Sequence, residues 1–222
     1  MEDRMIVAID GPAGAGKSTV ARAVAERMGF LHVDSGAMYR AVALWALENG
    51  IDPSDAGKVI PLAESAEINL DGGRVLLNGR DITAGVRRPE VSQAASRVSA
   101  IPGVRRELVR MQQEYAAVTS VVMEGRDIGT VVYPNARVKV YLDACPEVRA
   151  RRRVEELGGD YTQVLQEIRE RDTRDETRAD SPLRQAEDAV YLDTSDLDEA
   201  GVILAVLRIV RERISSGTGV TS

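Results

Sequence analysis

"MIVAIDGPAGAGKSTVARAVAERM" occupies residues 5–28, and its reading decides the fold. Residues 5–10 form a short continuous apolar run that ends at Asp10, the pattern of a strand buried on both faces. Residues 18–28 have helical spacing and stop at Gly29. Between them, "GPAGAGKST" fits G-x-x-x-x-G-K-[ST], with Gly11, Gly16, Lys17 and Ser18 at the fixed positions. The glycines let such a loop wrap until successive backbone N–H groups point inward at phosphate oxygens, and the helix that follows adds the positive end of its dipole. The candidate cradle is Gly11, Pro12, Ala13, Gly14, Ala15, Gly16, Lys17, Ser18 and Thr19. In a nucleoside triphosphate site, Lys17 reaches the β- and γ-phosphates and the Ser18 hydroxyl ligates Mg²⁺. A glycine-rich turn with an incidental lysine is the bland alternative, but it does not account for the strand and helix on either side.

Working outward, "FLHV" (30–33), "SVVMEG" (120–125), "VKVYLD" (138–143) and "AVYLD" (189–193) read as further buried strands. Helical stretches separate them, notably 146–157 and 161–178, and 198–213 follows the last. Strands alternating with helices predict a three-layer α/β/α fold around a five-stranded parallel sheet. The middle of the chain breaks this rhythm. "EINLDGGRVLLNGRDI" (67–82) carries two turn signals, Asp71-Gly72-Gly73 and Asn78-Gly79, and predicts a small antiparallel meander. Two helices follow, with Pro89 and Pro102 near their starts. The expected organisation is a core of 1–59 and 119–214, an insert of 60–118, and a disordered tail of 215–222.

The bulk composition narrows the class. The formal net charge of −6 argues against nonspecific nucleic-acid binding, which needs broad positive potential. One cysteine, Cys145, excludes an intrachain disulfide and is expected to be inert packing. One histidine, His32, is too little for a zinc site and is expected to be a satisfied structural group. The polar start and the lack of an apolar run near the roughly 20 residues of a membrane span predict a cytoplasmic protein, which we expect to be a monomer. Lysine occurs only as Lys17, Lys58 and Lys139, so the basic charge is carried by arginine.

Two features narrow the triphosphate chemistry. No Asn-Lys-x-Asp string marks a guanine site, and "VVMEGRD" places Arg126 directly after the third core strand, where it can meet a second anion opposite the glycine loop. The chain is also short and carries an insert, as small-molecule kinases do. Near the end, "RERDTRDETR" (169–178) packs four arginines and four acids into ten residues. On a helix, Arg171, Arg174 and Arg178 fall at i, i+3 and i+7 and share a face. Exposed ion pairs contribute only about 0.3–0.5 kcal/mol each, so stability is a poor reason to assemble them. With Arg149, Arg151, Arg152 and Arg153 upstream and Gly158-Gly159 between, two arginine-bearing helices form a hinged lid at about 153–178. A solvated, salt-bridged surface helix is the competing reading.

"IDGPAGAGKST", "DSGAMYRA", "RRPEVSQAASRVSAIPGVR", "EGRDIGTVVYPNA" and "IRERDTRDETRADSPL" together resemble the bacterial cytidylate kinase family, in its long form, over nearly the whole chain. The resemblance implies a P-loop kinase that moves the γ-phosphoryl of ATP to CMP or dCMP with Mg²⁺, and makes 60–118 a nucleoside monophosphate-binding insert. It implies phosphate-side roles for Arg40, Arg126 and Arg178, cytosine contacts from Ser96, Arg105 and Asp175, and sugar contacts from Asp127 and Arg171. Ser35 would lie beside the acceptor, and Arg153 would face the transferring phosphate from the lid. Lys17, Arg126, Arg153, Arg171 and Arg178 are the implied catalytic set. The chemistry is consistent: arginine forks grip phosphate bidentately, and a carboxylate can accept from the cytosine amino group. Arg105 stands beside Arg106, and the pattern alone leaves open which faces inward. Two other functions stay open: a P-loop kinase for UMP, AMP or a metabolite, and a nucleotide-binding module without turnover.

Overall fold

The computed structural model describes residues 4–216. Positions 217–222, most of the expected tail, lie outside the described residues, and 215 and 216 close the last helix instead. The described residues divide into two compact units, 33–117 and the remainder, 4–32 with 118–216.

The larger unit is built on a five-stranded sheet. In chain order its strands are β1 (Ile6–Asp10), β2 (Leu31–Asp34, where the chain leaves this unit), β6 (Val121–Gly125), β7 (Val138–Asp143) and β8 (Val190–Asp193). The order across the sheet is β2-β6-β1-β7-β8, and the β1–β6, β1–β7 and β7–β8 pairs are parallel. The sequence reading of a parallel α/β sheet therefore holds. The helices α1 (Lys17–Met28) and α8 (Glu199–Ser216) cover one core, where Val7, Ile9, Val122, Val140 and Leu142 meet Val20, Val24, Val206 and Val210. This burial explains the near-continuous apolar strands. Chain order reverses direction at β1, with β6 on one side and β7 on the other. The carboxyl end of such a switch strand is where open α/β sheets bind ligands. The glycine loop begins there. Two further helices, α6 (Pro146–Leu157) and α7 (Tyr161–Thr177), pack on each other through Ala150, Val154, Val164, Leu165 and Ile168.

The smaller unit holds α2 (Ser35–Glu48), α3 (Ala56–Ser65), the strands β3 (Ile68–Asp71), β4 (Arg74–Leu77) and β5 (Arg80–Asp81), and α4 (Pro89–Val98). It also takes nearly all of α5 (Pro102–Val118). The three strands form an antiparallel meander, as expected. At its second turn Asn78 and Gly79 have φ of 51° and 78°, the pair of left-handed residues that a tight hairpin with the native twist requires. The apolar α2 buries Met38, Val42 and Leu44 against Val91, Ala94, Ala95 and Val98 of α4. Asp34 caps α2 by accepting the Ala37 N–H at 3.0 Å.

Candidate active site

The glycine loop takes its shape from close packing. Gly11 has φ 146°, and a Cβ there would stand 1.9 Å from the Leu142 carbonyl oxygen of β7, so no other residue fits. Gly16, in the left-handed region, leads into α1, and no side chain caps that helix end. Its first N–H groups are thus left to face an anion. Two loop carbonyls are already committed: the Lys17 Nζ donates to Pro12 O at 2.6 Å and the Arg149 Nη1 to Ala13 O at 3.1 Å.

Around this loop lies a compact electrostatic system. Burial pushes the Lys17 ammonium well below the usual lysine range; Arg126 and Arg171 push it the same way, while Glu124 and Asp10 oppose them. The Ser18 hydroxyl donates to Glu124 Oε2 at 2.8 Å, and the Nε2 of His32 lies 3.0 Å from Glu124 Oε1. Asp10, at the end of β1, accepts the Ile128 and Gly129 N–H groups at 2.8 and 2.7 Å. Burial still drives its carboxyl up to about 6, against the pull of those two donors. Through these bonds Asp10 seats the turn at Ile128–Val132 that follows Arg126 and Asp127.

The arginine-rich segment comes into the same system. Arg126 Nε donates to Asp175 Oδ2 at 3.0 Å, and Arg178 Nη2 lies 3.8 Å from Asp127 Oδ1. Burial raises the Asp175 carboxyl, but Arg126, Arg171 and Arg178 outweigh it and hold the group below the usual range. Two expectations for this helix need correction. First, α7 ends at Thr177, and Arg178 is its extended cap, with Nε donating to Ser181 O at 2.6 Å. Second, Arg171 and Arg174, three residues apart and so neighbours on the helix surface, are not equally buried. The inward row is Val164, Ile168, Arg171 and Asp175, and Arg174 is exposed. The helix rolls to bury its apolar residues, and that roll carries Asp175 inward and Arg174 out. Arg153 is half-buried on α6. Cys145, expected to pack, is instead exposed just ahead of α6.

The remaining expected residues belong to the smaller unit. Ser35 is buried at the start of α2, and Arg40 pairs with Asp34 at 2.7 Å. Ser96 is buried on α4. Arg105 is 2% exposed, donates from Nη1 to Ser99 O at 3.3 Å, and lies with its guanidinium carbon 5.5 Å from the Tyr39 ring centroid. Arg106 is exposed, which resolves the choice that the sequence pattern left open. Three residues of the larger unit, Asp10, Glu124 and Arg149, were not among the expected site residues. Asp10 and Glu124 carry one legible signal, an acid at or near the carboxyl end of an apolar strand.

A phosphate-binding loop at the switch strand of a parallel sheet, faced by arginines, defines a P-loop kinase. The sequence profile of the cytidylate kinase family matches residues 7–212. The chain is 54% identical to a cytidylate kinase of Solibacter usitatus, over 97% of this chain and 96% of that one. It is 49% identical to a cytidylate kinase of Caldicellulosiruptor bescii, over 91% and 94%. Among solved structures, a gluconokinase from Sinorhizobium meliloti 1021 aligns with TM-score 0.53 at 17% identity, covering 98% of each chain, a likeness of fold. The chain belongs to the cytidylate kinase family and is a phosphotransferase.

Proposed function

We propose that the chain transfers the γ-phosphoryl of ATP to CMP or dCMP, giving the nucleoside diphosphate and ADP. An oxygen of the acceptor phosphate bonds to the γ-phosphorus while the bond to the β–γ bridging oxygen breaks. The attacking oxygen is already anionic, so no general base is needed. The residues have charge stabilisation and positioning left to supply. What carries this reading is the convergence of Lys17, Arg126 and Arg171, near enough for both arginines to depress the lysine. An isolated phosphate loop has no use for two more cations; a site for two phosphate chains does.

Residues 11–19 hold the triphosphate, with Lys17, Arg126, Arg153, Arg171 and Arg178 as the catalytic cations. Arg40, Arg126 and Arg178 take the acceptor phosphate, Ser35 lies beside it, and Asp127 and Arg171 take the sugar. Ser96, Arg105 and Asp175 read the cytosine. Uracil presents an acceptor where cytosine has an amino group, so an ionised Asp175 would repel UMP. The hydroxyl of Ser18, with the Glu124 carboxylate behind it, is a hard-oxygen set suited to Mg²⁺, which would neutralise charge on the β- and γ-oxygens. Residues 60–118 serve as the monophosphate-binding insert. A lid of 153–178 swings at Gly158 and Gly159, whose φ of 73° and 107° few other residues adopt. Closure excludes the water that would otherwise take the phosphoryl group.

We place this activity in the cytoplasm, in a monomer that acts on small molecules without nucleic acid or membrane as partner. No helix among the described residues is long and apolar enough to cross a membrane. A coupled ATP assay across CMP, dCMP, UMP, AMP and shikimate tests the function. Preference for the two cytidine nucleotides is the expected result. Turnover led by UMP, AMP or shikimate would transfer the site to another acceptor, and tight ATP and CMP binding without CDP would make the chain a non-catalytic module.

A further inference from the structure

Arg149 sits near the start of α6 and is 3% exposed, an unusual place for a guanidinium. Its Nε donates to Ala144 O at 2.7 Å. Its Nη1 donates to Ala13 O in the glycine loop at 3.1 Å and to Asp172 Oδ1 at 3.1 Å, and its Nη2 donates to Asp172 Oδ2 at 2.7 Å. One planar fork therefore joins three stretches of chain: the turn after β7, the phosphate loop and α7. The loop comes close here, since a Cβ on Gly14 would lie 3.3 Å from the Arg149 Cβ. Arginine alone offers this geometry, because a lysine ammonium cannot bind a carboxylate in parallel and a carbonyl sideways.

The two helices need such a link. Their apolar seam on α7 runs from Val164 to Ile168. Beyond it the contacts are ion pairs: Arg169 with Glu147 at 2.7 Å, both exposed, and the buried Arg149–Asp172 pair at 2.7 Å. Asp172 directly follows Arg171, and a helix turns about 100° per residue, so fixing one azimuth fixes the other. A roll of about 20° would move a guanidinium carried about 6 Å from the axis by about 2 Å. Misplacement of about 1 Å can cost about a hundredfold in rate.

We propose that Arg149 and Asp172 form a positioning strut that sets the roll of α7 against the phosphate loop and so aims Arg171 at the phosphates. This rests on the reading of Arg171 given above. Neither strut residue needs to touch substrate.

The test uses the full chain in five variants: Arg149→Met, Asp172→Asn, the two combined, Arg169→Gln on the exposed pair, and Arg171→Lys. It reads kcat, KM for CMP, equilibrium binding of a fluorescent ADP analogue, and the melting temperature. Each strut variant should lose more than about fivefold in kcat, with KM and ADP binding within about threefold, because the loss falls on the transition state. The double variant should be no slower than the slower single one, the signature of one shared interaction. Arg169→Gln should stay within about twofold. If Arg149→Met does not fold, Asp172→Asn carries the test, since it keeps the shape and leaves Arg149 its two carbonyl acceptors. Should Asp172→Asn lower only the melting temperature, with kcat per folded molecule within about fivefold while Arg171→Lys falls further, the strut is overturned and the reading of Arg171 stands. An unimpaired Arg171→Lys would overturn both.

Discussion

The glycine loop and the end of α7, the two regions proposed to meet phosphate, are made differently. In the loop the donors are backbone N–H groups held in place by packing, as at Gly11 against β7. At the end of α7 the cations are side chains that already hold acids: Arg126, after β6, with Asp175 of α7; Arg149, on α6, with Asp172 of α7; and Arg178, the cap of α7, near Asp127. The first region is organised before any ligand arrives. The second is a set of ion pairs that an incoming phosphate has to enter or rearrange. Rigid preorganised donors stabilise a transition state without reorganisation. Paired arginines hold their positions without leaving uncompensated buried charge. The division suggests that the loop fixes the donor nucleotide and the helix completes the charge only when the acceptor is present.

The largest effect should come from the preorganised side. Lys17→Met should lower kcat about a thousandfold with the fold intact by circular dichroism, since the buried cation proposed to meet the transferring group disappears. Activity within a few-fold of the parent would break the comparison at its firmer end. Arg126→Met should follow at about a hundredfold, measured as kcat/KM for CMP. It removes the phosphate contact proposed for Arg126 and also leaves the 4%-exposed Asp175 without the guanidinium 3.0 Å away. If α7 were only a solvated surface helix, this variant would change stability and leave turnover alone.

How much of this contrast could be read from the sequence follows from how local each feature is. The loop is contiguous, and its strand, spacing and helix sit within residues 5–28, so fold and cradle were legible together. The arginine cluster was visible as composition, but its geometry was not. The 171/174/178 face assumed an undisturbed helix reaching residue 178, whereas burial of Val164 and Ile168 chose a roll that exposes Arg174. The contact of Ser18 with Glu124, 106 residues away, depends on which strands the sheet order brings together, and that of Arg149 with Asp172, 23 away, on how α6 and α7 pack. Nothing at those positions alone announces a partner. His32 was expected to be satisfied within the structure, yet the group it meets is the carboxylate that also takes the Ser18 hydroxyl.

A third prediction probes the support beneath the loop. Asp10 titrates near 6 in the folded chain against 3.8 as its ordinary value, so between these values the folded state holds the proton more tightly than the unfolded one. Its contribution to stability is therefore complete below pH 3.8 and lost as the pH rises through about 6. Denaturant unfolding of the parent and Asp10→Asn, compared at pH 4.5 and 6.5, should show the difference in their stabilities shifting by about 1–2 kcal/mol, against the parent at the higher pH. A difference independent of pH would mean that Asp10 is ionised throughout, and that the seat of the 128–132 turn carries full charge.

The smallest effect is the most informative about α7. Asp175→Asn keeps the shape and one acceptor oxygen but removes the charge and adds a donor. If this residue reads the base, the amide can serve the cytosine amino group with one end and a uracil carbonyl with the other. A base-edge hydrogen bond discriminates by about 1–3 kcal/mol, so the ratio of kcat/KM for CMP over UMP should fall about tenfold. If Asp175 serves only as the counterion of Arg126, both substrates should slow together and the ratio should hold. The two outcomes separate an acid that recognises the ligand from one that keeps an arginine in place, a distinction the 3.0 Å contact with Arg126 cannot make by itself.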